Sequence, residues 1–210
     1  MKKLVLLFAA AALCVTPAFA QLRTHLEPEQ TDPVTKLPTS YGEWRSDYPR
    51  LFDAHVITRL IIESGFVGVS AVGLREHAGR YSIITYERSA GSGNKLACET
   101  WLDATRAERA LAAWRKVLAA IAPHEEPANT PGVETIQLDG LYLHFSMSDG
   151  KAPSLFGVVW SPYEGSDPDN LFAIAMQLSG VCRARNDAQR ADDLRELDKA
   201  LDSLVQEQNR

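Results

Sequence analysis

The stretch Leu155–Cys182, LFGVVWSPYEGSDPDNLFAIAMQLSGVC, places the strongest constraint on the fold. It reads as a strand, a tight polar turn and an amphipathic helix ending on a cysteine. Lys95–Ile121 repeats the plan, with Cys98 in its strand and a helix after Trp101. Each helix has an apolar stripe that must be buried, and the neighbouring strands supply a sheet to bury it on. The two units match in structure rather than residue by residue, so a common α+β grammar explains them as well as a duplication does.

The helices carry their own punctuation. Thr105-x-x-Glu108 fits a capping box, in which each side chain accepts from the other residue's backbone N–H. Ala107, Ala110, Leu111, Trp114, Val117, Leu118 and Ile121 then follow helical spacing, and Pro123 ends the run. Arg106, Arg109, Arg115 and Lys116 fall on the other face, read here as solvated. In the second unit Asp167 is the expected N-cap, Pro168 the first helical residue and Asp169 a favourable first-turn charge. Leu171, Ile174, Ala175, Leu178, Val181 and Cys182 form one stripe. On the strand Lys95–Leu102, alternation puts Leu96, Cys98, Thr100 and Leu102 on one face and Ala97, Glu99 and Trp101 on the other. Cys98 and Cys182 then both face the interface between helix and sheet.

The remaining strands group into two meanders. Val56–Ser64, Val67–Leu74, Tyr81–Arg88 and Lys95–Leu102 make the first, with Ala78-Gly79-Arg80 as a hairpin connection and Ser89–Asn94 as a loop. Val56–Ser64 also fits the end of a helix begun at Tyr48, but its β-branched content favours a strand. The glycines of Ser89–Asn94 invite a phosphate-loop reading, which fails because no helix and no Lys-Ser/Thr pair follows. After the loop His124–Pro131, Val133–Leu138, Leu141–Met147 and Leu155–Trp160 make the second meander. Asp139-Gly140 and Asp149-Gly150 separate its strands, and Asp-Gly between alternating runs is a strong hairpin signal. Asn186–Gln208 is a final helix with a narrow stripe at Ala191, Leu194, Leu197, Leu201 and Leu204. The expected fold class is α+β: an antiparallel sheet in two meanders, helices packed on one face, and an amphipathic C-terminal helix.

Residues 1–20 have the form of a signal peptide. Lys2 and Lys3 precede the apolar run Leu4–Val15, and Ala18-Phe19-Ala20 is a cleavage site before Gln21. Cys14 raises a lipoprotein reading, but Leu13 stands where a small residue is required. A retained anchor is the alternative, although the run is shorter than the roughly 20 residues a span needs. Cleavage removes both lysines and no acid. The mature chain of 190 residues then has 20 basic and 27 acidic residues, a net charge of −7. A basic nucleic-acid footprint is absent. The expectation is a periplasmic or secreted protein without a membrane anchor after signal cleavage.

Export leaves an even pair of cysteines, Cys98 and Cys182, which in an oxidising compartment reads as a disulfide. No C-x-x-C is present to suggest redox catalysis. Between signal and domain, residues 21–49 are polar and hold Pro28, Pro33, Pro38 and Pro49. They read as an extended leader before a single α+β domain over 50–210. Tyr41, Trp44 and Tyr48 stand near its end, either docking the leader onto the domain or forming a partner patch.

Catalytic and metal signatures were sought by spacing. Among His25, His55, His77, His124 and His144 no pair has ligand spacing, and no cofactor is expected. Asp167-Pro168-Asp169 begins like a calcium loop, but Phe172 stands where a glycine is needed and Leu178 where a glutamate is needed. Ser148–Lys151 has S-x-x-K spacing, yet Asp149-Gly150 makes a turn rather than the helix that motif needs. One constellation survives. On Leu141–Ser148, Tyr142, His144, Ser146 and Ser148 share one face, as on any half-solvated sheet. Its sharper reading is a binding face, or a catalytic one with His144 as base and Ser146 as nucleophile.

These residues are compatible with three functions. The leading one is a non-enzymatic binding or accessory protein of the cell envelope, of inhibitor or immunity type, with another envelope protein as partner. The second is a periplasmic hydrolase using the polar face around His144. The third is a scaffold assembling through the C-terminal helix.

Overall fold

The computed structural model describes residues 26–63, 68–121, 140–148 and 153–206. The targeting segment, the strand expected at Val133–Leu138, the loop His124–Pro131 and the Asp149-Gly150 turn lie outside those residues. The strands are β1 (Glu27–Pro28), β2 (Val56–Glu63), β3 (Gly68–His77), β4 (Arg80–Ser89), β5 (Gly93–Leu102), β6 (Tyr142–Ser148) and β7 (Pro153–Trp160). The helices are α1 (Tyr41–Asp47), α2 (Ala104–Ala119), α3 (Asp167–Arg183) and α4 (Asp187–Gln206). A 3-10 turn, Pro49–Phe52, follows α1.

The strands form one antiparallel sheet in the order β1-β7-β6-β2-β3-β4-β5. The α+β class holds, and the two meanders are joined by β2, which pairs with β3 on one side and β6 on the other. Leu60 lies opposite Val72 of β3 and Phe145 of β6. On the inner face, Leu60, Ile62, Val72, Leu74, Ile83, Leu143, Phe145 and Val159 meet the stripes of α2, α3 and α4 in one core. The α3 stripe is buried as its spacing implies. Leu197, Leu201 and Leu204 of α4 are buried in the same core, so the seam offered for scaffold assembly is occupied by this chain itself.

Two helix starts differ from expectation. Asp103, not Thr105, caps α2, its carboxylate accepting from the backbone N–H of Arg106. Ser166, not Asp167, caps α3, and Pro168 sits in the first turn with Asp169. In both cases a good N-cap residue lay just upstream and extended the helix by a residue or two. The basic face of α2 is not simply solvated either. Arg106 bonds Asp198 at 2.7 and 3.0 Å, Arg109 reaches Asp202 at 2.5 Å, and Lys116 bonds the Leu204 carbonyl at 3.2 Å. These contacts fasten α4 across α2.

Strand β5 departs from simple alternation. Cys98 lies opposite Thr85 but Leu96 lies opposite Tyr86, so Ala97 is an extra residue in a bulge. The bulge moves Leu96 from the Cys98 face to the face of Glu99 and Trp101, where it is 46 % exposed. Cys98 keeps its inward direction. It lies at disulfide distance from Cys182, with Cα atoms 6.0 Å apart.

The outer face of the sheet is covered where the sequence suggested a solvated surface. The leader contains a strand and a helix rather than an unpatterned chain. Strand β1 pairs with β7, Glu27 opposite Val158 and Pro28 opposite Gly157. Helix α1 and the 3-10 turn then cross the outer face, and Trp44, Tyr48 and Leu51 bury against Val56, Ile61, Ala71, Ile84 and Tyr86. Docking is thus the role of Trp44 and Tyr48. Mid-strand Gly73 permits the close approach. A Cβ there would stand 2.5 Å from the Leu51 side chain and 2.8 Å from the Thr58 carbonyl. Arg59, 3 % exposed on this face, donates to the carbonyls of Leu51 (2.6 Å) and Val56 (2.9 Å). Burial lowers its pKa to about 10, so it remains a cation at neutral pH.

Two stability tests follow from this packing. Gly73→Ala is expected to cost about 1–3 kcal/mol in urea unfolding. Gly42→Ala, where a Cβ meets nothing within 4 Å, is expected to be neutral or mildly stabilising. Equal effects at the two positions would refute the close-approach account. The bond between Cys98 and Cys182 spans 84 residues and should contribute about 4–5 kcal/mol on the chain-entropy model. The double Cys→Ala variant, compared with oxidised protein by denaturant unfolding, measures that contribution.

Candidate functional site

His144 lies at the meeting point of β6, β2 and the leader. Its β6 neighbours Leu143 and Phe145 point to the helices, so alternation sends the imidazole to the outer face, opposite Ile61. There the ring is only 11 % exposed. The Trp44 ring packs against it, centroids 4.8 Å apart, and Tyr142 stacks from its other sequence side at 6.4 Å. Nδ1 lies 2.9 Å from the Glu29 carboxylate, itself 11 % exposed, just after β1. Nε2 lies 3.5 Å from Glu63 at the end of β2, within ion-pair range but beyond a good hydrogen bond. Trp44 Nε1 donates to the other Glu63 oxygen at 3.0 Å.

These contacts decide the protonation state. Burial alone would lower the His144 pKa, but the hydrogen bond to Glu29, the contact with Glu63 and the two negative charges raise it to about 9. His144 is therefore an imidazolium at neutral pH, which bridges leader and sheet. The His144 contact, opposed by burial and aided by Trp44, holds Glu63 below the usual carboxylate range. A protonated imidazole with both nitrogens directed at carboxylates is not poised as a general base.

The four residues singled out on this strand are distributed unevenly. Ser146, 9 % exposed, lies opposite Arg59 and Phe156, and Ser148 is 5 % exposed. Both are covered where an open face was expected. Tyr142, at 40 %, is the accessible member. No local pattern marks Glu29 or Glu63 as partners of His144. Trp44 carried the available signal, as the middle of three aromatics in a polar segment with no periodic pattern to bury them.

Beside this cluster a cleft of about 440 Å3 opens, lined by Glu43, Trp44, Asp47, Tyr48, Ile61, Glu63, Arg88 and Gly140. Helix α1 positions it. Trp44 and Tyr48, four apart, turn inward as the floor, while Glu43 and Asp47, also four apart, stand exposed at the rim. Asp47 accepts from the Asn94 amide at 3.2 Å. With His144 and its partner Glu29 counted, four carboxylates stand against two cations, which leaves the cleft electronegative on balance. Among the described residues no group of three or more His, Cys, Asp or Glu side chains is placed to hold a metal ion. No helix among them is long and apolar enough to cross a membrane.

No family model matches the chain, and neither a curated protein nor a solved structure is similar to it. The site must be read from its own chemistry.

The raised His144 pKa predicts the sign of a pH effect. A histidine with a folded pKa near 9 and an unfolded value near 6.5 stabilises the fold fully below about pH 6.5. That contribution is lost as pH rises through 9. It is on the order of 3 kcal/mol. Glu63 acts oppositely, since its depressed pKa contributes stability above the unfolded value that is lost as pH falls. Unfolding free energy should thus decline between pH 6.5 and 9, and His144→Gln should flatten that decline. NMR titration of the His144 ring checks the pKa directly, and a midpoint near 6.5 would refute the imidazolium bridge.

Proposed function

We propose that this chain is an exported, non-enzymatic binding protein of the cell envelope, of the inhibitor or immunity type, and that it engages a basic group of its partner in the cleft beside His144. The observation that supports this reading is the cleft itself. Glu43, Asp47 and Glu63 are all exposed around it, and Trp44 and Tyr48 form its floor. A lysine or arginine side chain entering there meets carboxylates for its charged head and aromatic surface for its stem. The rim acids sit on a helix tied down by two buried aromatics, so little ordering is required on binding.

The hydrolase reading finds less support. It needs His144 as a base, and the ring is held charged between Glu29 and Glu63.

Parallel capture experiments test the proposal. Tagged wild-type protein and the Glu43→Lys/Asp47→Lys variant are exported and recovered from envelope extract at low and high salt. The expected outcome is a partner retained by wild type, released by salt and lost by the variant. Equal retention by both proteins, or retention of nothing at any salt, overturns it.

A further inference from the structure

A second hollow lies at the opposite end of the same strands and has the opposite charge. Its volume is about 330 Å3, and it is lined by Gly79, Arg80, Tyr81, Trp101, Leu102 and Ala104. It sits where the β3–β4 hairpin meets the end of β5 and the start of α2. Trp101 is 54 % exposed, although it belongs to a strand whose inward positions are occupied. The Arg80 guanidinium lies over the Trp101 ring, 5.8 Å from its centroid. Among the described residues no carboxylate lies within ion-pair distance of Arg80. The nearby acid Asp103 is engaged with Arg106 at 2.8 Å and with the Arg106 backbone N–H at 3.0 Å.

The platform is rigid. Arg190 of α4 donates to the Trp101 carbonyl at 2.6 Å and to the Thr100 hydroxyl at 3.3 Å. Cys98, three residues back, is tied to α3. The hairpin is held by Ala78 and Gly79, both at positive φ, with the Gly79 N–H bonded to Glu76 at 2.9 Å. An exposed indole and an exposed guanidinium without a carboxylate partner thus stand side by side on backbone that is held in place. Such Trp and Arg groups dominate binding energy where they cluster in a pocket.

We propose that this hollow binds the carboxyl-terminal residue of a peptide or protein partner, one with an apolar side chain. The volume lies at the small end of ligand pockets, about 300–1,000 Å3, and suits one residue. Arg80 and the Trp101 face are close enough that a carboxylate and an apolar group on one residue reach both. A chain terminus meets that requirement, because its α-carboxylate and side chain leave the same carbon. An internal Asp or Glu does not, because its carboxylate replaces the apolar group. Arg80 pairs bidentately with the carboxylate, the side chain lies on Trp101 over Tyr81 and Leu102, and the first turn of the 16-residue helix α2 adds a favourable field. The site does not depend on the acidic cleft.

The test uses the exported full chain with three probes: N-acetyl-Phe-Leu as the free acid, the same peptide as its amide, and amidated N-acetyl-Phe-Asp. The readout is the indole N–H resonance of Trp101 in two-dimensional NMR, assigned by its loss in Trp101→Phe. The free acid should shift this resonance saturably. The amide and the internal acid should each bind at least about tenfold more weakly, as expected for loss of a charge-assisted bidentate contact. Arg80→Gln should lose the acid preference, Arg80→Lys should retain part of it, and the Glu43→Lys/Asp47→Lys variant should bind as wild type. Arg80 is exposed, so thermal unfolding of its variants should match wild type and exclude misfolding. Equal binding of acid and amide, an acid preference that survives Arg80→Gln, tighter binding of the internal acid, or no shift at 20-fold the concentration range of a millimolar ligand would each overturn the proposal.

Discussion

The pairing of β2 with both β3 and β6 is the constraint on which the rest of the molecule depends. It joins chain segments about 80 residues apart into one sheet and leaves Thr58–Ile62 buried on both faces. A strand buried on both faces must be covered on both. On the inner face three amphipathic helices provide the cover. On the outer face the leader provides it, with Trp44, Tyr48 and Leu51 supplying the apolar surface that β2, β3 and β4 need. The leader is therefore one layer of the core and not only a tether to it.

Covering the outer face buries polar groups, and the two largest of them are met by specific partners in part. Arg59 donates to the carbonyls of Leu51 and Val56, which leaves one of its guanidinium nitrogens without a hydrogen bond. His144 is hydrogen-bonded to Glu29 and lies within ion-pair range of Glu63. The same contacts that make His144 a good structural cation make it a poor base, because the charged form is the one its surroundings stabilise. Structural use of the histidine thus competes directly with catalytic use.

The two proposed sites lie at opposite ends of the sheet. At the Glu63 end, α1 projects its acids over the rim while its aromatics anchor it. At the Arg80 end, the β3–β4 hairpin holds a guanidinium against an exposed indole. Both sites rest on residues clamped by neighbouring structure: Trp44 through Glu63, and Trp101 through Arg190. Recognition surfaces preorganised in this way lose little entropy when occupied.

Much of this architecture was legible in the residue pattern. Helical spacing located α2, α3 and α4, and alternation between Asp-Gly turns located β6 and β7, because burial on one side leaves a period that survives in the sequence, while β-rich composition located β4. The inward direction of Cys98 and Cys182 followed from the same periods. What the pattern could not carry is any feature that depends on a second element arriving from far along the chain. The Ala97 bulge reverses Leu96 through the register with β4 and breaks no local rule. Gly73 reads as a weak strand residue until the Leu51 turn is set on top of it. Residues 26–52 have no periodicity, because a short strand, a helix of about two turns and a 3-10 turn each bury only one or two side chains. His144 was legible as an outward residue on a strand, but its charge is set by Glu29, 115 positions away. Sequence alone thus determined the longer helices and strands and, the β5 bulge aside, which face of each is apolar, since those are local consequences of backbone geometry. Tertiary structure alone decided the chemistry of the sites, since a side chain's pKa, exposure and partners belong to the space around it and not to its neighbours in the chain.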